Sequence, residues 1–300
     1  MEIITDLSQI DMTQVVSDSV VTCLEVSGIL MLSAFIVLAF IFFVRYHAKV
    51  MPLFMGMIAY LVFIFAAANG LMMLIPAINS EGTAAISKMI ATSVILVAFY
   101  MVARLFLAQV LHGHYDNGGD IMLAGLGLGV GDMVIYGFTT ILPMMVLATS
   151  INQSGLESVL AVENSSPEAI LNIYEHTIAL LFRVPAEIWI MAAVSMVMEL
   201  VANVGFMMIY SGVVRKKLPP LWYGVTAAIH FVMLVSFSFD MTGYTSANQA
   251  LIPFGIKVAA FVLLVVIVFK LNAGPLEHML NENYVERATK LPKFGNLRKK

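Results

Sequence analysis

Residues 120–150 read DIMLAGLGLGVGDMVIYGFTTILPMMVLATS, and the fold follows from them. The stretch is longer and more evenly apolar than the ~20 residues with which a helix crosses ~30 Å of hydrocarbon. Within it Gly125, Gly127, Gly129 and Gly131 alternate with larger apolar residues and lead into Asp132. Glycines at i and i+4 (125 with 129, 127 with 131) clear two adjacent strips of one helix, so neighbouring backbones can approach closely. A carboxylate at the depth of Asp132 is costly against lipid, so it is expected to face other helices or a wet cavity.

The rest of the 300-residue chain is of the same kind. It is 60% hydrophobic and 12% charged, against ~25% charged in an ordinary soluble domain. Long apolar runs exclude a soluble domain, and they lack the short alternating segments of a β-barrel. The fold class is therefore all-α, a polytopic membrane helix bundle. About seven transmembrane spans are predicted, near Cys23–Val44, Pro52–Ile75, Ala85–Leu111, Ile121–Leu147, Ala186–Val213, Leu221–Met241 and Ala250–Leu271. Residues 1–271 then form one transmembrane bundle and 272–300 a basic tail. A single Cys23 excludes an intrachain disulfide and a Cys-based metal cluster. The 22 Met read as adaptable packing between helices. The acidic opening, MEIITDLSQIDMTQVVSDS, has no basic n-region and does not look like a signal peptide.

Charge placement sets an expected orientation. Arg45, His47 and Lys49 follow the first span, Arg215, Lys216 and Lys217 the fifth, and Arg287, Lys290, Lys293, Arg298, Lys299 and Lys300 lie in the tail. Basic connections stay cytoplasmic, which puts the N-terminus outside and the C-terminus inside. The tail would then lie near anionic inner-leaflet lipids, at ~1 kcal/mol per basic residue close to the surface. In the long outer connection, Ser166-Pro167-Glu168 is a good helix start: a side-chain cap, a first-turn proline and an acid near the positive dipole end. Ile170, Ile173, Tyr174, Ile178 and Leu181 follow at helical spacing, predicting an amphipathic helix over about 167–182 at the outer interface.

Counting residues along each span places ionisable groups inside the membrane. Arg104 lies ~10 Å from the inner end of span three, Asp132 ~16 Å in on span four, and His230 ~13 Å in on span six. Glu199 and Asn203 stand one turn apart on one face of span five. These five residues, from four helices, are expected at one level. Each ionisable group costs roughly 2.5–3.5 kcal/mol to insert, so such groups mark either a functional cleft or a paired structural layer. A second group, Glu187, Asp240 and Lys257, falls toward the outer side and reads as an ion pair holding adjacent helices together.

The order of these motifs resembles the YhfC family of intramembrane metalloproteases, itself similar to the CAAX-processing and PrsW-type group. The similarity runs through roughly residues 45–240: RYHAKVMPLFMGMIAYLVF looks like the family's first inner loop and second span. GLGLGVGD at 125–132 is similar to its Gly-x-Gly-His-Gly-x-x-Glu segment, and Met198–Lys217 followed by His230 resembles its later motif helices. The resemblance implies a bundle of seven or eight spans in which Glu and His from several helices hold zinc near the cytoplasmic side. The departures fall where that chemistry would sit. The Glu-Glu-x-x-Arg motif appears as Tyr100-Met101-Val102-Ala103-Arg104, the motif His is Leu128, and the motif Glu is the shorter Asp132. Asn203 or Glu199 stands for the span-five ligand, His230 matches, and the acid expected one turn later is Leu234.

Zinc needs about three protein ligands and an open position for the water it activates. The candidates for catalysis or metal binding are His230, Asp132 and Glu199, with Arg104 and Asn203 as further polar groups of the cleft. One His and two carboxylates make a poor zinc set, with no Glu left over as general base. Three readings follow. The chain is a catalytically silent relative that binds a transmembrane or lipidated peptide, an active protease with a divergent zinc site, or a transporter or membrane subunit with these groups lining a path. No inverted repeat of the kind many transporters show is visible. Nothing points to nucleic acid, a membrane-protein partner is compatible with the basic tail, and the type resembles proteins of the bacterial cytoplasmic membrane.

Overall fold

The computed structural model describes residues 10–79, 84–115, 117–161, 166–237 and 246–274. Among these residues every regular element is helical and no strand occurs. The main helices are α1 (Asp18–Val44), α2 (Met51–Leu74), α3 (Ala85–Leu111), α4 (Gly118–Ser154), α5 (Pro167–Ile173), α6 (Ala186–Val214), α7 (Leu221–Ser236) and α8 (Ala247–Asn272). Six of them, α1 to α4, α6 and α8, are long and apolar enough to cross a membrane. The chain is thus a multi-pass membrane protein. The described part of the remaining expected span is α7, whose 16 residues reach only ~24 Å; Met241, its expected end, lies outside the described residues, as do Asp240 and the tail from 275 onward.

Two of the membrane-length helices are interrupted by π turns. In α2 the π stretch runs over Tyr60–Ala68, and in α4 over Gly137–Ile141. The second ends two residues before Pro143, which has no amide hydrogen to give the preceding turn, so the ladder must be rearranged there. With its 37 residues, α4 is ~55 Å long, well beyond the hydrocarbon thickness.

The chain forms two compact units, and α1, α4, α6, α7 and α8 each contribute to both. The first gathers Met1–Ala34, Asp132–Met198 and Ser236–Lys257 as far as these are described. Its polar links are few and specific. Ser27 Oγ donates to the carbonyls of Cys23 at 2.6 Å and Trp189 at 3.1 Å, joining α1 to α6. Asn152 clamps the chain before α1 in both directions, accepting from Val16 N at 2.8 Å and donating to Val16 O at 2.9 Å. Ser166 caps α5 by accepting from Ala169 N at 3.2 Å. The helical run beyond it is closed by a two-pronged ion pair of Arg183 with Glu175 at 2.7 and 2.8 Å, which raises the Arg183 pKa chiefly through those hydrogen bonds.

The second unit comprises Phe35–Gly131, Glu199–Val235 and Val258–Lys300, again as far as described. The glycine-bearing part of α4 is its buried axis: every residue from 121 to 130 is buried. The two glycine strips meet two different helices. A Cβ on Gly125 would fall 2.7 Å from Asn203 O and 2.8 Å from Val204 Cα, and one on Gly129 would fall 3.0 Å from Leu200 Cα, so this strip lies against the backbone of α6. A Cβ on Gly127 would run into Leu53 O, and one on Gly131 into the Tyr60 ring, so the other strip lies against α2. At Gly125 and Gly127 the nearest opposing atoms are backbone, which cannot swing aside, while at Gly131 they belong to the Tyr60 ring. At the start of α4, Asp120 accepts from Lys49 N at 2.6 Å and Asn117 donates to Tyr46 O at 2.8 Å, tying down the connection before α2.

Candidate functional site

Three helices of the second unit bring polar side chains together. On α3, Tyr100 and Arg104 are one turn apart on one face; on α6, Glu199 and Asn203 are likewise one turn apart, with Phe206 three residues on. His230 comes from α7. All are buried: Arg104 and Asn203 are 0% exposed, His230 1%, Tyr100 2% and Glu199 3%. Arg104 is the hub. Its Nη2 donates to Asn203 Oδ1 at 2.7 Å, and its Nη1 lies 3.4 Å from His230 Nδ1. Its guanidinium carbon sits 4.3 Å from the centre of the Phe206 ring and 4.9 Å from that of Tyr100, so two aromatic faces replace water around the charge.

The counter-charge is Glu199. Its Oε2 lies 3.5 Å from His230 Nε2, while its backbone carbonyl accepts from Asn203 Nδ2 at 3.0 Å. A guanidinium can only donate, so the His230 nitrogen facing it must accept, and the ring proton belongs on Nε2, toward the carboxylate. The result is a chain of groups running Arg104, His230, Glu199, with the imidazole neutral between cation and anion. Tyr100 meets the His230 ring edge-on with centroids 4.8 Å apart, fixing its plane.

Of the residues expected at one level, Arg104, Glu199, Asn203 and His230 are thus in contact. Asp132 belongs to the first unit, where it is half-buried. Among the described residues, no three His, Cys, Asp or Glu side chains could hold a metal ion. The donor chemistry explains why zinc does not fit the layer around His230. Both ring nitrogens already face protein groups, and one of those groups is a cation that would repel a metal at close range. Of the second expected group, Lys257 is wholly buried and Glu187 exposed, both in the first unit, and Asp240 lies outside the described residues.

No family model, no curated protein and no solved structure matches this chain. Geometry alone therefore bears on its function. Space for a ligand is found in the second unit. A half-open apolar cavity of about 220 Å³ runs between α6 and α8, floored by Ala202, Gly205 and Met208 and walled by Leu264 and Val268. Tyr46 and Asn272 stand at its end.

Sequence reading missed both the aromatic cradle of Arg104 and this groove. The signals were present: Tyr100 four residues before Arg104, Phe206 three after Asn203, and the small pair Ala202 and Gly205 at helical spacing. None stands out in a chain where apolar residues are the norm.

Proposed function

We propose that this multi-pass membrane protein is a non-catalytic, YhfC-like scaffold that works by binding a membrane-embedded chain rather than by cutting one. The observation that carries the reading is His230, whose two ring nitrogens face Arg104 Nη1 at 3.4 Å and Glu199 Oε2 at 3.5 Å. Zinc would need one of those nitrogens, and a guanidinium is no Lewis acid for water, so the layer supplies charge balance for Glu199 without hydrolytic chemistry. Binding falls to the apolar groove between α6 and α8, whose open side suits a ligand entering from lipid. The partner implied by the resemblance, a transmembrane or lipidated peptide, is one bearer of such a chain.

Metal analysis of the purified full-length protein tests this. The expected outcome is substoichiometric zinc that His230→Ala leaves unchanged, with no cleavage of transmembrane peptides. Stoichiometric zinc lost on His230→Ala would overturn the reading in favour of an active protease.

A further inference from the structure

The groove has dimensions and ends that select among the chains a membrane can offer. Its lining on α8 runs from Phe261 to Asn272, ~16 Å of helix, which matches the ~15 Å of hydrocarbon in one leaflet. The cavity, about 220 Å³ and narrow between two helices, is on the scale of one slender aliphatic chain. It suits a single acyl chain. The chemistry of its ends gives the direction. Most of the lining is aliphatic or aromatic, but one end carries Tyr46 and Asn272, and Asn272 Oδ1 is shut away from water without a hydrogen-bond donor among the described residues.

That end is also basic. Arg45 and Lys49 flank Tyr46 on the connection between α1 and α2, and Lys270 lies within the last turn of α8; all three are exposed. Asn117 donates to Tyr46 O, which ties the groove's end to the loop where Lys49 Nζ sits 5.0 Å over the Tyr115 ring. Arg215 Nη2 reaches Tyr115 O at 3.5 Å, bringing another cation to the same loop. Among the described residues of this region, Asp120 is buried and accepts from Lys49 N at 2.6 Å.

We propose that the groove between α6 and α8 holds one acyl chain of an anionic glycerophospholipid, with its headgroup at the Tyr46–Asn272 end among Arg45, Lys49 and Lys270. The inference rests on the reading above that this groove is the binding site and names its occupant. A headgroup hydroxyl supplies the donor that Asn272 Oδ1 lacks, and the phosphate meets the basic rim. The length of the groove and the position of its polar end both place the headgroup at a membrane surface, where such a lipid already has it.

Native mass spectrometry of the full-length protein in mild detergent, titrated with phosphatidylglycerol or phosphatidylcholine, decides the matter. The wild type is expected to retain one phosphatidylglycerol in clear preference to phosphatidylcholine. Arg45→Gln, Lys49→Gln and Lys270→Gln change exposed side chains, and each is expected to weaken phosphatidylglycerol retention by roughly fivefold. Ala202→Leu, which fills the floor, should lose both lipids. Equal retention of the two lipids by the wild type, or no retained lipid, overturns the proposal. Recovery of a lipidated peptide instead also overturns it while leaving the binding function standing; zinc content reports on that function separately.

Discussion

Arg104 Nη2 donates to Asn203 Oδ1 at 2.7 Å, and both side chains are wholly withdrawn from the surface. A cation so placed is tolerable only because its counter-charge is within the same layer. Glu199 supplies it through His230. Removing one member of such a set leaves the other buried and uncompensated, at ~3–5 kcal/mol, whereas removing both is far milder. Arg104→Met should therefore destabilise by about that amount, and Arg104→Met with Glu199→Gln by clearly less than the sum of the two single losses. Denaturation in detergent micelles, run as a double-mutant cycle, measures this. Simple additivity would show that the two charges do not depend on each other.

The glycine strips of α4 make a second, independent prediction. Gly125→Ala would push a methyl group to within 2.7 Å of Asn203 O and 2.8 Å of Val204 Cα, and backbone atoms of α6 can yield only by moving the helix. A loss of ~1–3 kcal/mol follows, the usual scale of overpacking. Gly224 on α7 has nothing within 4 Å of such a methyl group, so Gly224→Ala should be neutral or slightly stabilising, by up to ~1 kcal/mol, as expected for alanine in place of glycine within a helix. Thermal melting of the two variants side by side checks the contrast.

These two cases also show what a sequence can disclose. The long apolar helices are legible because hydrocarbon thickness fixes their length, and the glycine strips because helical periodicity converts i and i+4 into one face. The meeting of Arg104, Glu199, Asn203 and His230 is legible as a matter of depth. Depth, however, does not give the direction in which a side chain points or which helix lies opposite. Glu187 and Lys257 are the example: both count to the outer side, yet within one compact unit the first is exposed and the second wholly buried. The aromatic faces around Arg104 and the groove beside Gly205 depend on helix-to-helix pairing, which hydropathy does not encode.

Asn152 predicts an effect outside the spans. Its amide makes both hydrogen bonds to Val16, at 2.8 and 2.9 Å, and so holds the segment before α1 onto the end of α4. Asn152→Ala forfeits both bonds, at ~1 kcal/mol each. Its expected signature is local, with faster proteolysis or amide exchange around residues 14–17 and little change in global unfolding.

A little earlier in that segment, Thr13 sets a pH dependence. Its hydroxyl donates to Asp11 Oδ1 at 2.6 Å and its amide at 3.0 Å, and these bonds, the hydroxyl's foremost, hold the Asp11 carboxyl below its ordinary range. A depressed carboxyl contributes order to the turn above the unfolded-chain value and loses it as pH falls through the folded one. Thr13→Val should move the Asp11 titration back up toward the ordinary aspartate range, which carboxyl-detected NMR of the protein in micelles reads directly.

The hydrogen-bond directions around His230 lead to the sharpest contrast between two conservative substitutions. Nδ1 faces a donor, Arg104 Nη1 at 3.4 Å, and Nε2 faces an acceptor, Glu199 Oε2 at 3.5 Å. The position therefore calls for a side chain that accepts at one end and donates at the other, which a neutral imidazole does and a phenyl ring does not. His230→Phe keeps the ring packing on Tyr100 and Phe206 but strands two buried charged groups, each at ~1–3 kcal/mol. His230→Gln gives up the ring packing yet offers both an acceptor and a donor. If polar satisfaction dominates, the Gln variant is the more stable in detergent unfolding. If the Phe variant is the more stable, the aromatic contacts outweigh the charge chain, and the buried layer is held by packing around the rings.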